Sequence, residues 1–292
     1  MQDSVSARTP AKINISLDIL GKRDDGYHFV RTIMQAVSIY DEITVSPNEE
    51  KIIRIFSDNP DIPVDQGNLA YKAAAEFFRF VECAPGGLDI KIKKTIPPLA
   101  GLAGGSSNAA GTLVALNELM ETSLSVEELC DIGAKVGADV PFCISGGTAL
   151  AEGVGDIISS LPNLPECYIV VVKPEISIST ADAFLRFDIL PDKRTSEFDD
   201  LVAAVATQDI QKISSCLFNA LENTAEYSEI SRLKGELVEM GAMGALMTGS
   251  GSAVYGIFEK KKTASKCADE MADRYSFSRL CVPVSTGAEI LD

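Results

Sequence analysis

The chain reads as an α+β protein of two packed domains, on three observations. Strand-like segments crowd its first half and helix-like segments its second. Regular β-α-β alternation is missing, and 292 residues suit two cores better than one.

Ala11–Leu20 alternates apolar and polar residues, the period of a half-buried strand. In the following GKRDDGYHF, Asp25-Gly26 predicts a hairpin turn, because Gly accepts the positive φ of a tight turn. The return strand runs from about His28 to Ser38, with another near Asp41–Ser46. Asn68 caps a predicted helix that continues to Val81, where apolar residues recur at helical spacing. Gly87–Lys94 alternates as a strand. A Pro/Gly-rich segment, Ile96–Gly105, runs into a helix over Ser106–Met120. Ser125 and Glu128 form a capping box for a helix to about Val136, and Gly146–Glu152 reads as a strand. Ser159–Glu166, with its prolines and small polar residues, predicts the linker, which places the domains at 1–158 and 167–292. Beyond it the pattern predicts a strand over Cys167–Lys173 and helices over Thr180–Phe187, Ser196–Ala206, Ile210–Glu222, Ile230–Met240 and Lys260–Tyr275. Strands fit Ala253–Phe258 and Leu280–Pro283.

Composition excludes several function classes. With 26 Lys and Arg against 42 Asp and Glu, the net charge is −16, which repels nucleic acid and anionic membranes. An anionic ligand must therefore be met by local donors. The seven cysteines are odd in number, widely spaced and without a C-x-x-C, as expected of free thiols in a reducing cytosol. His28 is the sole histidine, so a multi-histidine metal site is excluded. The N-terminal residues lack an apolar signal core, and no apolar run approaches the roughly 20 residues that span a bilayer. The expectation is a cytoplasmic protein, monomer or homodimer, with a small-molecule partner and no nucleic-acid or membrane partner.

The strongest local feature is PPLAGLAGGSSNAA, Pro97–Ala110, a loop of small residues entering a helix. It is either a glycine turn capped by serine or an anion cradle. Glycines let backbone approach a ligand, and the first-turn N–H groups with the helix dipole suit a triphosphate. The length of the loop and the serines at the helix start favour the cradle. It is neither a Walker loop nor a G-x-G-x-x-G dinucleotide motif. Thr248-Gly249-Ser250-Gly251-Ser252 is, taken alone, a hairpin turn or bulge; paired with the first loop it could close over phosphates. Lys12 lies in the first strand, where a lysine usually snorkels to solvent, and Asn14 shares its face. Asp139, in GADVPF, is either a turn residue before a proline or a catalytic carboxylate. Tyr27-His28 offers a stacking surface for a base or simply packs on the hairpin.

Together these segments resemble the GHMP small-molecule kinase family. The resemblance is carried by PAKINISLDILGKRDDGYH (Pro10–His28), IPPLAGLAGGSSNAAG (Ile96–Gly111), GADVPFCISGGTALAEGVGD (Gly137–Asp156) and MTGSGSAVYGIF (Met247–Phe258). It implies an N-terminal domain like the second domain of ribosomal protein S5, a ferredoxin-like C-terminal domain and an active site in the cleft between them. It also implies ATP as phosphoryl donor, Mg²⁺ with it, and an alcohol acceptor. The DGYH element points to a cytidine diphosphate-linked polyol of non-mevalonate isoprenoid synthesis; a mevalonate- or homoserine-type substrate is the alternative. By matching position, Lys12 and Asp139 become the catalytic pair, with Asp139 as base and Asn14 beside them. Pro97, Pro98, Leu99, Ala100, Gly101, Leu102, Ala103, Gly104, Gly105, Ser106 and Ser107 would wrap the phosphates, with Gly249 and Ser250 nearby. Tyr27 would stack on cytosine, His28 would read its polar edge and Phe184 would lie on the other face. No protein ligand for the metal is implied. One departure is that the family's loop is usually richer in glycine than Leu99, Ala100 and Ala103 allow. Alanine is tolerated where φ is negative, so the loop is expected to keep its path with altered ATP affinity or mobility.

Overall fold

Strand β1 (Val5–Lys22) and strand β2 (His28–Asn48) form one long antiparallel hairpin, paired from Lys22↔His28 to Val5↔Val45 with register shifts at Pro10/Ala11, Asn14/Ser16 and Ile19/Gly21. The turn is where Asp25-Gly26 predicts it, with Gly26 at φ +91°. The two strands expected after the turn are a single strand. The computed structural model describes residues 3–83, 87–191, 193–224 and 228–291, so the outer ends of the expected domains, Met1 and Asp292, lie outside the described residues.

The chain continues through β3 (Ile53–Ser57), α1 (Leu69–Phe80), β4 (Gly87–Lys93), α2 (Gly104–Leu119), α3 (Val126–Ala134), α4 (Val140–Ser145), β5 (Thr148–Glu152) and β6 (Ile157–Leu161). Asn68 caps α1 as expected, its side chain accepting from Ala70 N at 2.8 Å. Ala70, Ala73, Ala74, Phe77 and Phe78 recur at helical spacing and are buried. The capping box of Ser125 and Glu128 opens α3. Helices α1–α4 share one core with β1–β4. The segment predicted to be the linker overlaps β6 up to Leu161.

The second half contains β7 (Tyr168–Lys173), α5 (Thr180–Asp188), α6 (Phe198–Thr207), α7 (Ile210–Ser215), β8 (Phe218–Asn219), a 3-10 turn (Ala220–Thr224), α8 (Ser228–Glu239), β9 (Gly244–Met247), β10 (Val254–Phe258), α9 (Lys261–Ala272), β11 (Phe277–Cys281) and β12 (Glu289–Ile290). Strands β7, β9, β10 and β11 form a four-stranded sheet in the order β11-β7-β10-β9. Numbered along the chain, that is fourth, first, third, second, the split β-α-β order of a ferredoxin-like domain. One face of this sheet, with Ile169, Val171, Tyr255 and Ile257, packs towards β1 and β2. The other face, with Val170, Val172, Val254 and Phe258, packs on α8 and α9. Burial on both faces explains the unbroken apolar run of β7. β8 and β12 both pair with β1, so the second half of the chain contributes strands to the first sheet. Among the described residues no helix is long and apolar enough to cross a membrane.

Candidate functional site

Lys12 and Asn14 project from the same side of β1 into a cleft of about 1150 Å³. Lys12 is only 4% exposed, so it does not snorkel to solvent. Burying an ammonium is costly unless it is paired. Its Nζ donates to Asn14 Oδ1 at 2.7 Å and lies 3.7 Å from Asp139 Oδ2. The amide of Asn14 cannot turn over, because Nδ2 donates to Thr32 Oγ1 at 2.8 Å and Thr32 in turn donates to the Ser16 carbonyl. Tyr255 OH donates to the Asn14 carbonyl at 2.9 Å and Thr248 Oγ1 accepts from Asn14 N at 3.0 Å. The polar face of β1 is thus fixed at once from β2, from the loop after β9 and from β10.

Asp139 comes to Lys12 from the N-cap position of α4, with Pro141 in the first turn. Proline is favoured there because a first-turn N–H has no helical partner to lose. Asp139 sits in the turn that runs into this helix, and its side chain is 36% exposed at the cleft.

The loop Pro97–Ala103 runs between β1 and the start of β10. Lys12 N donates to the Leu102 carbonyl at 3.2 Å, and Ala253 N donates to the Ala100 carbonyl at 3.1 Å. Its neck is closed by Asp41, which is fully buried. The Asp41 carboxylate accepts from Thr95 N at 2.7 Å, Ile96 N at 2.9 Å and Asn108 Nδ2 at 2.7 Å, and pairs with Lys94. Four donors on one carboxylate compensate its desolvation and tie the entry of the loop to the helix that follows it.

Helix α2 begins at Gly104, two residues before the predicted start, with Ala103 at its N-cap and no side chain capping it. The first-turn N–H groups of such a helix lack intrahelical partners, and Gly104, Gly105 and Ser106 line the cleft. Ser107 departs from expectation. Its hydroxyl is buried, 2.6 Å from Thr9 Oγ1 and 2.9 Å from the Pro10 carbonyl, so it faces the core and cannot serve the cleft. The helical period turns Ser107 away from the face that Ser106 occupies.

The expectation that non-glycine residues of the loop keep negative φ is also corrected. Leu99 has φ +51° and Ala103 φ +56°. The left-handed region costs an L-residue about 1–2 kcal/mol, whereas replacing Ala by Gly costs about 0.4–1 kcal/mol of unfolded-chain entropy. Ala103→Gly should therefore stabilise the fold by about 0.5–1 kcal/mol and raise Tm by roughly 2 °C, read by calorimetry. An unchanged or lower Tm would mean that the loop carries no strain there.

Thr248–Ser252 joins β9 to β10, so it is a hairpin turn, and it also meets the first loop. Asn219 holds it, Nδ2 donating to the carbonyls of Met247 and Gly249, both at 2.8 Å. Gly101, at φ +75°, packs so closely that a Cβ would fall 2.0 Å from the Thr248 carbonyl oxygen. Gly101→Ala should force the loops apart. Displacement of catalytic groups by about 1 Å costs on the order of 100-fold, so for the ATP-dependent transfer that the family resemblance implies, kcat/KM should fall by about that factor. A variant with unchanged kinetics would show that the contact between the loops does not matter.

Of the residues expected in the site, Lys12, Asn14, Pro97–Ser106, Asp139, Gly249, Ser250 and Phe184 line one cleft. Tyr27 does not: it stands 67% exposed at the hairpin tip. His28 is buried behind Phe184, their rings stacked with centroids 4.8 Å apart. Asp41, Thr32, Asn219 and Asp188 belong to the supporting structure and were not anticipated, whereas Thr248 was expected only as part of the second glycine loop. Asp41 had a readable signal: it shares a strand face with Ile43 and Val45, and an acid on an apolar face needs buried partners.

Known proteins share this fold and much of this sequence. The sequence profile described as "GHMP kinases N terminal domain" matches residues 68–147, and that described as "GHMP kinases C terminal" matches residues 201–276. A protein of Lachnoclostridium phytofermentans named 4-diphosphocytidyl-2-C-methyl-D-erythritol kinase is 41% identical over 266 residues, covering 90% of this chain and 91% of its own. A protein of the same name from Clostridioides difficile is 39% identical over 291 residues, covering 99% and 98%. A crystal structure of 4-(cytidine 5'-diphospho)-2C-methyl-D-erythritol kinase superposes with a TM-score of 0.79 at 30% identity, covering 95% of this chain and 98% of the other. A homoserine kinase from Cytophaga hutchinsonii superposes equally well, with a TM-score of 0.79, but at 21% identity, which speaks for the fold alone.

Proposed function

The chain belongs to the GHMP kinase family and is a small-molecule phosphotransferase, and from that premise we propose that it phosphorylates the 2-hydroxyl of 4-diphosphocytidyl-2-C-methyl-D-erythritol with ATP, in the cytoplasm. The observation that carries the mechanism is the meeting of Lys12 and Asp139, 3.7 Å apart, in the cleft lined by the two glycine loops.

The triphosphate lies along Pro97–Ser106, its oxygens facing the unpaired N–H groups that open α2. Local backbone donors hold it against a protein of net charge −16. The apolar residues Ile62, Pro63 and Leu69 of the same cleft receive the adenine. The acceptor hydroxyl oxygen attacks the γ-phosphorus while the bond to the β–γ bridging oxygen breaks and ADP leaves. The hydroxyl proton passes to the Asp139 carboxylate, and the Lys12 ammonium, aimed by Asn14, stabilises charge on the transferring group. Phe184 packs on one face of the cytosine and His28 reads the polar edge; Tyr27, exposed at the hairpin tip outside the cleft, reaches the other face only when the β1–β2 hairpin folds over the base.

Mg²⁺ accompanies ATP. Among the described residues no group of three acidic, histidine or cysteine side chains gathers to hold a metal. The Ser106 hydroxyl at the cleft would offer the ion a hard oxygen ligand, the phosphates and water supplying the rest. When bound, the ion offsets charge on the β- and γ-phosphates.

A coupled ADP-release assay tests the proposal, with the cytidine-linked polyol, homoserine and mevalonate as acceptors. Turnover of the first alone is expected. Turnover of another alcohol without it would overturn the substrate assignment.

A further inference from the structure

Asp188 is the last residue of α5 and lies where that helix meets the root of the β1–β2 hairpin. One carboxylate oxygen, Oδ1, lies 2.7 Å from His28 Nε2; the other, Oδ2, lies 2.5 Å from Lys22 Nζ. Phe184, one turn earlier on α5, stacks on the same imidazole. The His28 side chain is 7% exposed, so helix and hairpin grip its ring from an edge and a face.

The chemistry of this triad leaves little choice of proton position. Lys22 has only donors to offer. Its hydrogen bond first, and that of His28 second, hold the Asp188 carboxyl below its usual range, so it is an ionised acceptor at neutral pH. Nε2 must then carry a hydrogen to bond Oδ1. In the neutral ring the other nitrogen, Nδ1, is a bare acceptor, and it makes no hydrogen bond among the described residues.

We propose that Asp188, oriented by Lys22, is a positioning residue that locks His28 as the Nε2–H tautomer and thereby makes the site select cytosine over uracil. This rests on the reading that His28 faces the base. An acceptor nitrogen pairs with the exocyclic amino group of cytosine. The carbonyl oxygen at the same place in uracil meets it lone pair to lone pair.

Asp188→Asn makes the idea testable, because the substitution keeps the shape and changes the logic. The single amide oxygen goes to Lys22, which cannot accept. The amide nitrogen then faces His28 and donates to Nε2, and the ring proton moves to Nδ1. The mutant should present a donor where the wild type presents an acceptor.

His28 is the chain's only histidine, so ¹⁵N-histidine labelling gives one imidazole to observe. In the wild type the spectrum should show a bare Nδ1 and a protonated Nε2, and in Asp188→Asn the reverse. The ratio of kcat/KM for the cytidine-linked polyol to that for its uridine analogue should fall by about tenfold or more in the mutant, as expected for mispairing one hydrogen-bonding group. A wild-type ring protonated at Nδ1, or at both nitrogens, would overturn the proposal. So would a mutant with the wild-type tautomer and an unchanged ratio. If neither nucleotide were turned over, the proposed function would fail while the spectrum still decided the tautomer.

Discussion

Asp139→Asn should lower kcat by about 10²–10⁴-fold, the usual worth of a general base, while ATP binds as before. The amide keeps the volume of the carboxylate but loses its capacity to take a proton and its negative charge 3.7 Å from Lys12. ATP affinity should survive because the loop proposed to hold the phosphates is itself held elsewhere, by Asp41 at its neck and by backbone bonds to Lys12 and Ala253. Steady-state kinetics with both substrates, with ATP binding followed calorimetrically, separates the two effects. Near-wild-type kcat would remove Asp139 from the base role. A loss of ATP affinity matching the loss of kcat would place the residue in nucleotide binding instead.

The parts of the fold legible in the sequence are those decided within a few residues. The Asp25-Gly26 turn, the Asn68 cap and the Ser125–Glu128 capping box each need only their own backbone, and each is where the local chemistry puts it. The misreadings share a different cause. Leu217 to Leu221 continue the apolar spacing of α7, yet the helix stops at Ser215, because Phe218 and Asn219 pair in parallel with Ser16 and Leu17. A tertiary ladder there overrides local propensity. Strand β9 is four residues long, too short to display a period. In β6, Ser159 and Ser160 on an exposed edge strand have the composition of a linker.

The same division runs through the site. The glycine loops and the Lys12 and Asp139 segments stand out as motifs, so their membership in one cleft could be anticipated. The residues that hold them could not. Thr248 reaches Asn14 across 234 positions of sequence, and Asp188 reaches His28 across 160. Each acts through bonds to residues far away along the chain, which leave no spacing to read. Ala103 misled for the opposite reason: composition suggested negative φ, but the entry into α2 imposes a left-handed N-cap whatever residue stands there.

Lys12→Met should lower kcat by about 10²–10³-fold, the scale on which one preorganised electrostatic contact to a transition state is felt. The stability of the same variant should move the other way or not at all. The ammonium is buried, its partner Asp139 is partly open to solvent, and the desolvation it carries is offset by one hydrogen bond and a 3.7 Å ion pair. Methionine fills the same slot, removes the buried charge and leaves Asn14 anchored by Thr32. Arginine should not restore activity, since its planar fork does not fit a pocket shaped for a point charge. A residue kept for folding loses stability and activity together; one kept for chemistry, at the expense of the fold, separates them. Calorimetry beside kinetics on this one variant decides between the two. A fall in Tm of about 10 °C, or a kcat within about threefold of wild type, would make Lys12 a structural lysine and leave the phosphoryl group without its cation.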